Sequence, residues 1–126
     1  MNDEVLAHLH DVSQAARAVK TFLRGRTFDQ YVADEQLRSA VERKFEIMGE
    51  ALNRIRRDSP DILQRIREHR DIISFRNILV HGYDTIDDRI VWDVVQDDLD
   101  NLLHDVEAFL KASDDPAERN AASGEA

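Results

Sequence analysis

Apolar residues recur every three or four positions along three long stretches of this chain, and that spacing constrains its fold more than any other feature. In the first stretch, Asp3 to Arg24, the apolar stripe comprises Val5, Leu9, Val12, Ala16, Val19 and Leu23. A period near 3.6 residues places these side chains on one face of an α-helix. The four glycines and two prolines are too few for the turns of a many-stranded sheet. The sequence therefore predicts an all-α protein.

The same spacing predicts two further long helices. One follows Asp34, a good N-cap residue, and continues to about Arg57. The other follows Asp87 or Asp88 and continues to about Lys111. We therefore expect an up-down bundle in which three long helices supply most of the core.

Two short helices are expected between the last two long ones. The first starts at Ser59-Pro60, where serine caps and proline occupies the first helical position. The second starts near Asp71 and ends at His81, because Gly82 can take a left-handed conformation that stops a helix. Earlier in the chain, Thr27 and Gln30 form a capping-box pattern, which indicates a short helical turn there.

A chain of 126 residues is long enough for one domain and one core. We assign residues 1–112 to the helical domain. Residues 113–126 contain no apolar side chain larger than alanine, so they are predicted to be a flexible acidic tail. The apolar stripes exceed what one small bundle would bury, and this predicts a homodimer.

The net charge of −9 is unevenly distributed. Residues 84–126 carry thirteen acids and three bases, a local charge of −10, so residues 1–83 carry about +1. Between Arg54 and Arg70 there are six arginines and three acids. A uniformly acidic surface would repel a polyanion, whereas this asymmetry permits a basic patch. Solvated helix faces are the alternative explanation for these arginines.

Several classes of site are excluded by what the sequence lacks. It contains no cysteine, which rules out disulfides, thiolate zinc sites and cysteine nucleophiles. His8 and His10 would point in roughly opposite directions on a helix, so they form a poor metal chelate. No glycine-rich phosphate loop is present, and we expect neither a metal nor a cofactor. The acidic N-terminus and the short apolar runs predict a cytoplasmic protein without a membrane span.

Potential catalytic chemistry is concentrated in one segment, Arg76-Asn77-Ile78-Leu79-Val80-His81-Gly82-Tyr83. It combines a fixed cation, an amide, an imidazole that titrates near neutral pH and a phenol. On a regular helix Arg76 and His81 would point about 140° apart. They converge only if the helix ends near His81 or if a second copy of the chain supplies one of them.

Metal-independent RNA cleavage needs both of these residue types. A histidine can deprotonate the 2′-hydroxyl, and an arginine can stabilise the charged phosphate. The plain alternative is that Arg76 pairs with an acid such as Asp71 or Asp84 while His81 interacts with the helix dipole. Tyr83 could be a phosphate ligand, a general acid, a modification site or a half-buried tyrosine whose hydroxyl meets water.

The spacing Arg76-x4-His81-x-Tyr83 resembles the motif of HEPN-domain proteins of the HepT-like toxin type. The segment 40–51, Ala-Val-Glu-Arg-Lys-Phe-Glu-Ile-Met-Gly-Glu-Ala, is similar to the second helix of that family. Ile86-Asp87, Val91-Trp92 and Asp98-Leu99 resemble its last helix. One departure is Glu68-His69, where the family often has Pro-Trp.

This resemblance implies a HEPN-like helical homodimer that brings both copies of the motif to one cleft. It implies that Arg76 and His81 are catalytic in a metal-independent endoribonuclease and that Asn77 helps to bind the RNA substrate. It further implies that the protein is the toxin of a toxin–antitoxin pair. Tyr83 would be the site where a partner nucleotidyltransferase antitoxin adds AMP and inhibits the toxin. The alternative is a non-catalytic helical module that binds nucleotide or presents Tyr83 to the transferase.

Overall fold

The computed structural model describes residues 1–82 and 86–114, and this part of the chain forms α-helices without a strand. The helices are α1 (Asp3–Leu23), α2 (Phe28–Ala33), α3 (Glu35–Asp58), α4 (Pro60–Gln64), α5 (His69–His81), α6 (Asp88–Asp97) and α7 (Leu99–Asp114). The predicted all-α helical bundle is confirmed. None of the described helices is both long enough and apolar enough to cross a membrane.

Helix α3 lies at the centre of the bundle. It packs against α1 on one side and α5 on another, and α1 also packs against α7. The predicted stripe of α1 is buried in full (Val5, Leu9, Val12, Ala16, Val19 and Leu23). Phe45 of α3 meets Phe75 of α5 edge to face, with ring centroids 5.1 Å apart. Such an aromatic contact adds to the apolar burial that joins α5 to α3.

The predicted starts of α2 and α3 are confirmed by their hydrogen bonds. Pro60 is the first residue of α4, as predicted, but the predicted cap Ser59 makes no side-chain capping hydrogen bond. The Asp34 carboxylate accepts a bond of 3.0 Å from the backbone N–H of Leu37 at the start of α3. At α2, the backbone N–H of Gln30 donates to the Thr27 hydroxyl, and the Gln30 side chain accepts from the Thr27 backbone N–H. Each bond satisfies a backbone N–H that has no partner within its helix.

The prediction of one continuous last helix was wrong, because the chain forms α6 and α7 with a turn at Asp98. Aspartate and asparagine are poor helix formers, since their short side chains compete for backbone hydrogen bonds. They are concentrated at this turn, in Asp97-Asp98 and Asp100-Asn101. Helix α7 continues through Asp114. The rest of the predicted tail, residues 115–126, lies outside the described residues.

Helix α5 begins at His69, two residues before the predicted start. The preceding Glu68 has a left-handed backbone (φ 71°). Asp105 of α7 holds the adjoining turn, because its carboxylate accepts from the backbone N–H of Arg67 (2.9 Å) and from the guanidinium of Arg67 (2.9 and 3.0 Å). These bonds lower the pKa of the Asp105 carboxyl. A contact between distant segments therefore positions the start of α5. The spacing of apolar residues in the sequence cannot reveal such a contact.

Candidate functional site

Arg76 extends from α5 towards α3 and is mostly buried there, with 21% of its side chain exposed. Its Nη2 donates a hydrogen bond of 2.8 Å to Oε2 of Glu50. Oε1 of the same carboxylate accepts from Nε of Arg54 at 3.2 Å. Sequence reasoning offered Asp71 or Asp84 as the acid that pairs with Arg76. Among the described residues the acid is Glu50, and Asp84 lies outside them. Glu50 therefore holds Arg76 in a fixed position between two helices.

The absence of a side chain at Gly49 allows this close approach of α5 to α3. A Cβ atom placed on Gly49 would lie 2.2 Å from Cβ and 2.5 Å from Cγ of Arg76. Both distances are far shorter than a carbon–carbon contact of about 3.5–4 Å. Gly49 is therefore part of the structure that positions the arginine. The sequence alone does not predict this contact, because Gly49 and Arg76 belong to different helices.

Asn77 connects Arg76 with the exposed surface of α5. Its Oδ1 accepts a hydrogen bond of 3.2 Å from Nη1 of Arg76. His81 lies four residues further along the same helix, about 40° around its axis, and is exposed. Residues at this spacing are neighbours on a helix surface. The structure thus joins the guanidinium of Arg76 to Asn77 and places Asn77 beside His81.

Arg76 and His81 point in different directions from the helix, and the length of the arginine side chain partly closes the gap between them. Arg76 and His81 both belong to α5, so their Cα–Cβ directions diverge by about 140°. The Nη1 bond to Asn77 nevertheless brings the guanidinium back towards the His81 face. Two of the five N–H donors of Arg76 are used by Glu50 and Asn77. Within residues 1–82 and 86–114 the second hydrogens of Nη1 and Nη2 have no acceptor, so they can donate to a phosphate.

Helix α5 ends at His81, as the sequence predicts, but the predicted left-handed glycine is wrong. Gly82 is extended, with φ −73° and ψ 131°, and its N–H donates to the carbonyl of Ile78 at 2.7 Å. A Cβ on Gly82 would lie 2.4 Å from that carbonyl oxygen. Glycine is therefore required here by a close backbone approach and not by a positive φ. Tyr83, the predicted modification site, lies outside the described residues.

A cluster of three carboxylates at the α5–α6 end of the bundle was missed by sequence reasoning. Oxygen atoms of Glu68, Asp71 and Asp98 all lie within 4.8 Å of one another. Burial, followed by the hydrogen bond and charge of Glu68, raises the pKa of Asp98 to about 6. The cluster can therefore retain a proton close to neutral pH. Asp98 is far from Glu68 in the chain, so only the tertiary structure brings these acids together.

The fold and this site define an all-helical domain that presents an arginine, an amide and a histidine at the end of one helix. Residues 12–111 match the model of the family described as "Ribonuclease HepT-like". The chain belongs to this HepT-like ribonuclease family, as its resemblance to HEPN-domain toxins predicted.

Three proteins of two organisms are similar to most of this chain. A protein of Methanocaldococcus jannaschii named as a putative RNase is 30% identical over 104 residues, which cover 82% of this chain and 94% of the relative. A protein of Thermococcus cleftensis named "Probable ribonuclease HepT" has the same identity and coverage. A second M. jannaschii protein named as a putative RNase is 27% identical over 108 residues, covering 86% of this chain and 88% of the relative. No solved structure gives a significant match.

Proposed function

We propose that this protein is a metal-independent endoribonuclease and the toxin of a cytoplasmic toxin–antitoxin pair. The observation that carries the proposal is the connection from Arg76 through Asn77 to the neighbouring, exposed His81 on α5. Membership of a ribonuclease family supports the same activity. Cationic, amide and imidazole groups at one exposed helix end have the properties required to bind and cleave a phosphodiester.

In the proposed reaction, His81 removes the proton of a ribose 2′-hydroxyl. The 2′-oxygen then attacks the adjacent phosphorus, so that the O2′–P bond forms and the P–O5′ bond breaks. Arg76 donates its two remaining N–H groups to the phosphate oxygens as negative charge develops, and Asn77 orients the guanidinium. A protonated imidazole gives its proton to the leaving 5′-oxygen. The products are a 2′,3′-cyclic phosphate and a 5′-hydroxyl.

A second copy of the chain would supply the general acid, since the two proton transfers require two imidazoles in different protonation states. The end of α5 supports such a dimer. Ile78 and Val80 are 54% and 45% exposed, and they lie on either side of His81 around the helix. A second copy that met the end of α5 would cover exposed apolar surface there and bring the two His81 residues to one cleft, with the rest of the α5 face left open.

We further propose that a nucleotidyltransferase antitoxin adds AMP to Tyr83 and thereby inhibits the nuclease. Tyr83 follows His81 by two residues in the sequence, so an AMP group there would be close to the catalytic histidine. Each added phosphate places negative charge where the RNA backbone must bind, and the adenosine occupies space at the cleft. Incubation with the partner enzyme and ATP should add the mass of AMP to a peptide containing Tyr83, with a parallel loss of cleavage.

The catalytic proposal is tested by RNA cleavage in excess EDTA. Arg76→Ala and His81→Ala should each abolish cleavage and toxicity while the dimer persists in light scattering. His104→Ala and Arg26→Ala serve as controls, because these residues are exposed and lie outside α5, in α7 and in the α1–α2 connection. Normal cleavage by both site variants would contradict the proposal. An inactive wild-type protein whose Tyr83 still accepts AMP would instead support the non-catalytic module.

A further inference from the structure

A groove between the C-terminal part of α3, helix α4 and helix α5 contains only basic and neutral side chains among the residues described. Its volume is about 510 Å³, and its polar lining includes Arg56, Gln64, Arg70, Ser74 and Asn77. Leu63 and Ile73 provide apolar lining. No described aspartate or glutamate lines it, although the chain carries a net charge of −9. The groove is therefore a local exception to the acidity of the protein.

The two arginines of the groove are not engaged by carboxylates. Eight other arginines of the described segments form ion pairs with aspartate or glutamate (Arg17, Arg38, Arg43, Arg54, Arg57, Arg67, Arg76 and Arg89). Arg56 instead donates to the amide oxygen of Asn53 at 2.8 Å, and Arg70 has no ion pair within residues 1–82 and 86–114. Both guanidinium groups can therefore bind an anion without breaking a salt bridge.

The groove leads to the candidate active site. Arg70, Ser74, Asn77 and His81 fall within an arc of about 60° on α5, at about 100° per residue. From Arg70 to His81 this face extends about 16 Å along the helix axis. Asn77 belongs to the groove and also accepts from Arg76. A strand bound along this face would pass from the groove arginines directly to both proposed catalytic residues.

We propose that this groove binds the sugar–phosphate backbone of single-stranded RNA next to the cleavage point, an inference that rests on the proposed ribonuclease function. Arg56 and Arg70 bind phosphates, while Gln64 and Ser74 offer hydrogen bonds to phosphate or ribose oxygens. A volume near 510 Å³ is that of a pocket for a small ligand, so it accommodates one or two nucleotides of a single strand rather than a duplex.

The groove should have little preference for base sequence. Phe, Tyr and Trp are absent from its described lining, so base stacking contributes little there. His69 also offers the bases little. Its Nδ1 donates to the carbonyl of Ile66 at 2.7 Å, so only Nε2 faces other partners, as an acceptor in the neutral ring. Affinity should therefore come mainly from phosphate contacts and decrease steeply as salt increases.

Binding can be separated from cleavage with a fluorescein-labelled 12-nucleotide RNA that carries 2′-O-methyl groups throughout, because it lacks the attacking 2′-hydroxyl. Fluorescence anisotropy between 50 and 300 mM salt then gives Kd and its salt dependence. The test variant is Arg56→Ala with Arg70→Ala. The matched control is Arg24→Ala with Arg26→Ala, which removes the same charge from two exposed arginines outside the groove.

We expect the groove variant to bind about tenfold more weakly at 100 mM salt and the control to change less than about twofold. The slope of log Kd against log salt should fall by about 1.4 for two lost phosphate contacts. Arg56→Lys with Arg70→Lys should retain most of that slope, since the charge is kept. Thermal unfolding verifies that each exposed substitution leaves the fold intact.

Equal effects of the groove and control variants would overturn the proposal, as would a wild-type protein that does not bind this RNA. A groove variant that keeps RNA binding but loses the nucleotidyltransferase partner would assign the groove to a protein instead, which also overturns it. Cleavage of an unmodified RNA separates the two proposals. Groove-dependent binding without cleavage contradicts only the ribonuclease function, whereas normal cleavage by the groove variant contradicts only the groove.

Discussion

Substitution of Gly49 by alanine tests whether the approach of α5 to α3 positions Arg76. The new Cβ would lie 2.2 Å from Cβ of Arg76 and 2.5 Å from its Cγ. These atoms form the base of the side chain, so a change of rotamer at its far end cannot relieve the contact. Restoring an ordinary carbon–carbon separation requires α5 to move by about 1–2 Å relative to α3. That movement would disturb the Glu50–Arg76–Asn77 hydrogen bonds.

The expected effect on stability is small because two terms oppose each other. Alanine in place of glycine within a helix stabilises by about 1 kcal/mol. Overpacking at a close helix contact costs about 1–3 kcal/mol. The net destabilisation of Gly49→Ala is therefore about 0–2 kcal/mol, which lowers Tm by about 0–10 °C. Activity should fall much further, since displacement of a catalytic group by about 1 Å can reduce the rate by about 100-fold.

The assay compares cleavage rates and thermal unfolding of the wild-type protein, Gly49→Ala and Ser39→Ala. Ser39 is an exposed residue of the same helix, so its substitution changes helix propensity without altering a helix contact. Ser39→Ala should be slightly more stable and fully active. If Gly49→Ala has a raised Tm and normal cleavage, the close contact does not position Arg76 and the reasoning is refuted.

Two further substitutions address the partly buried carboxyl of Asp98 and the buried hydroxyl of Tyr31. The raised pKa of Asp98, about 6, means that its stabilising contribution is complete below its ordinary value of 3.8 and is lost as pH rises through about 6. Asp98→Asn should therefore raise Tm at pH 7.5 but not at pH 4, and Asp11→Asn serves as an exposed control. An increase in Tm that does not depend on pH would show that the raised pKa of Asp98 is not its cause. The buried hydroxyl of Tyr31 has no hydrogen-bond partner within residues 1–82 and 86–114, and burial raises its pKa. Tyr31→Phe should leave Tm unchanged or higher in thermal unfolding, whereas a loss of about 1 kcal/mol would indicate a hydrogen bond that the structure does not show.

The sequence by itself determined the helical class, most helix starts and the position of the motif at the end of a helix. These features depend on interactions between residues close in the chain. The apolar stripe of α1 repeats every three or four residues, and the Asp34 and Thr27 caps bond to N–H groups three residues away. Side-chain periodicity and capping chemistry are therefore visible in the sequence before the chain folds.

Only the tertiary structure decided how the site is held. Glu50 and Arg76 are 26 residues apart and meet because α5 packs on α3 beside the bare backbone of Gly49. The carboxylate cluster likewise depends on α5 and α7 being fixed by distant contacts. Local patterns do not specify which faces of two helices meet. That choice follows from close packing of the whole core, in which small residues permit contact and larger ones prevent it.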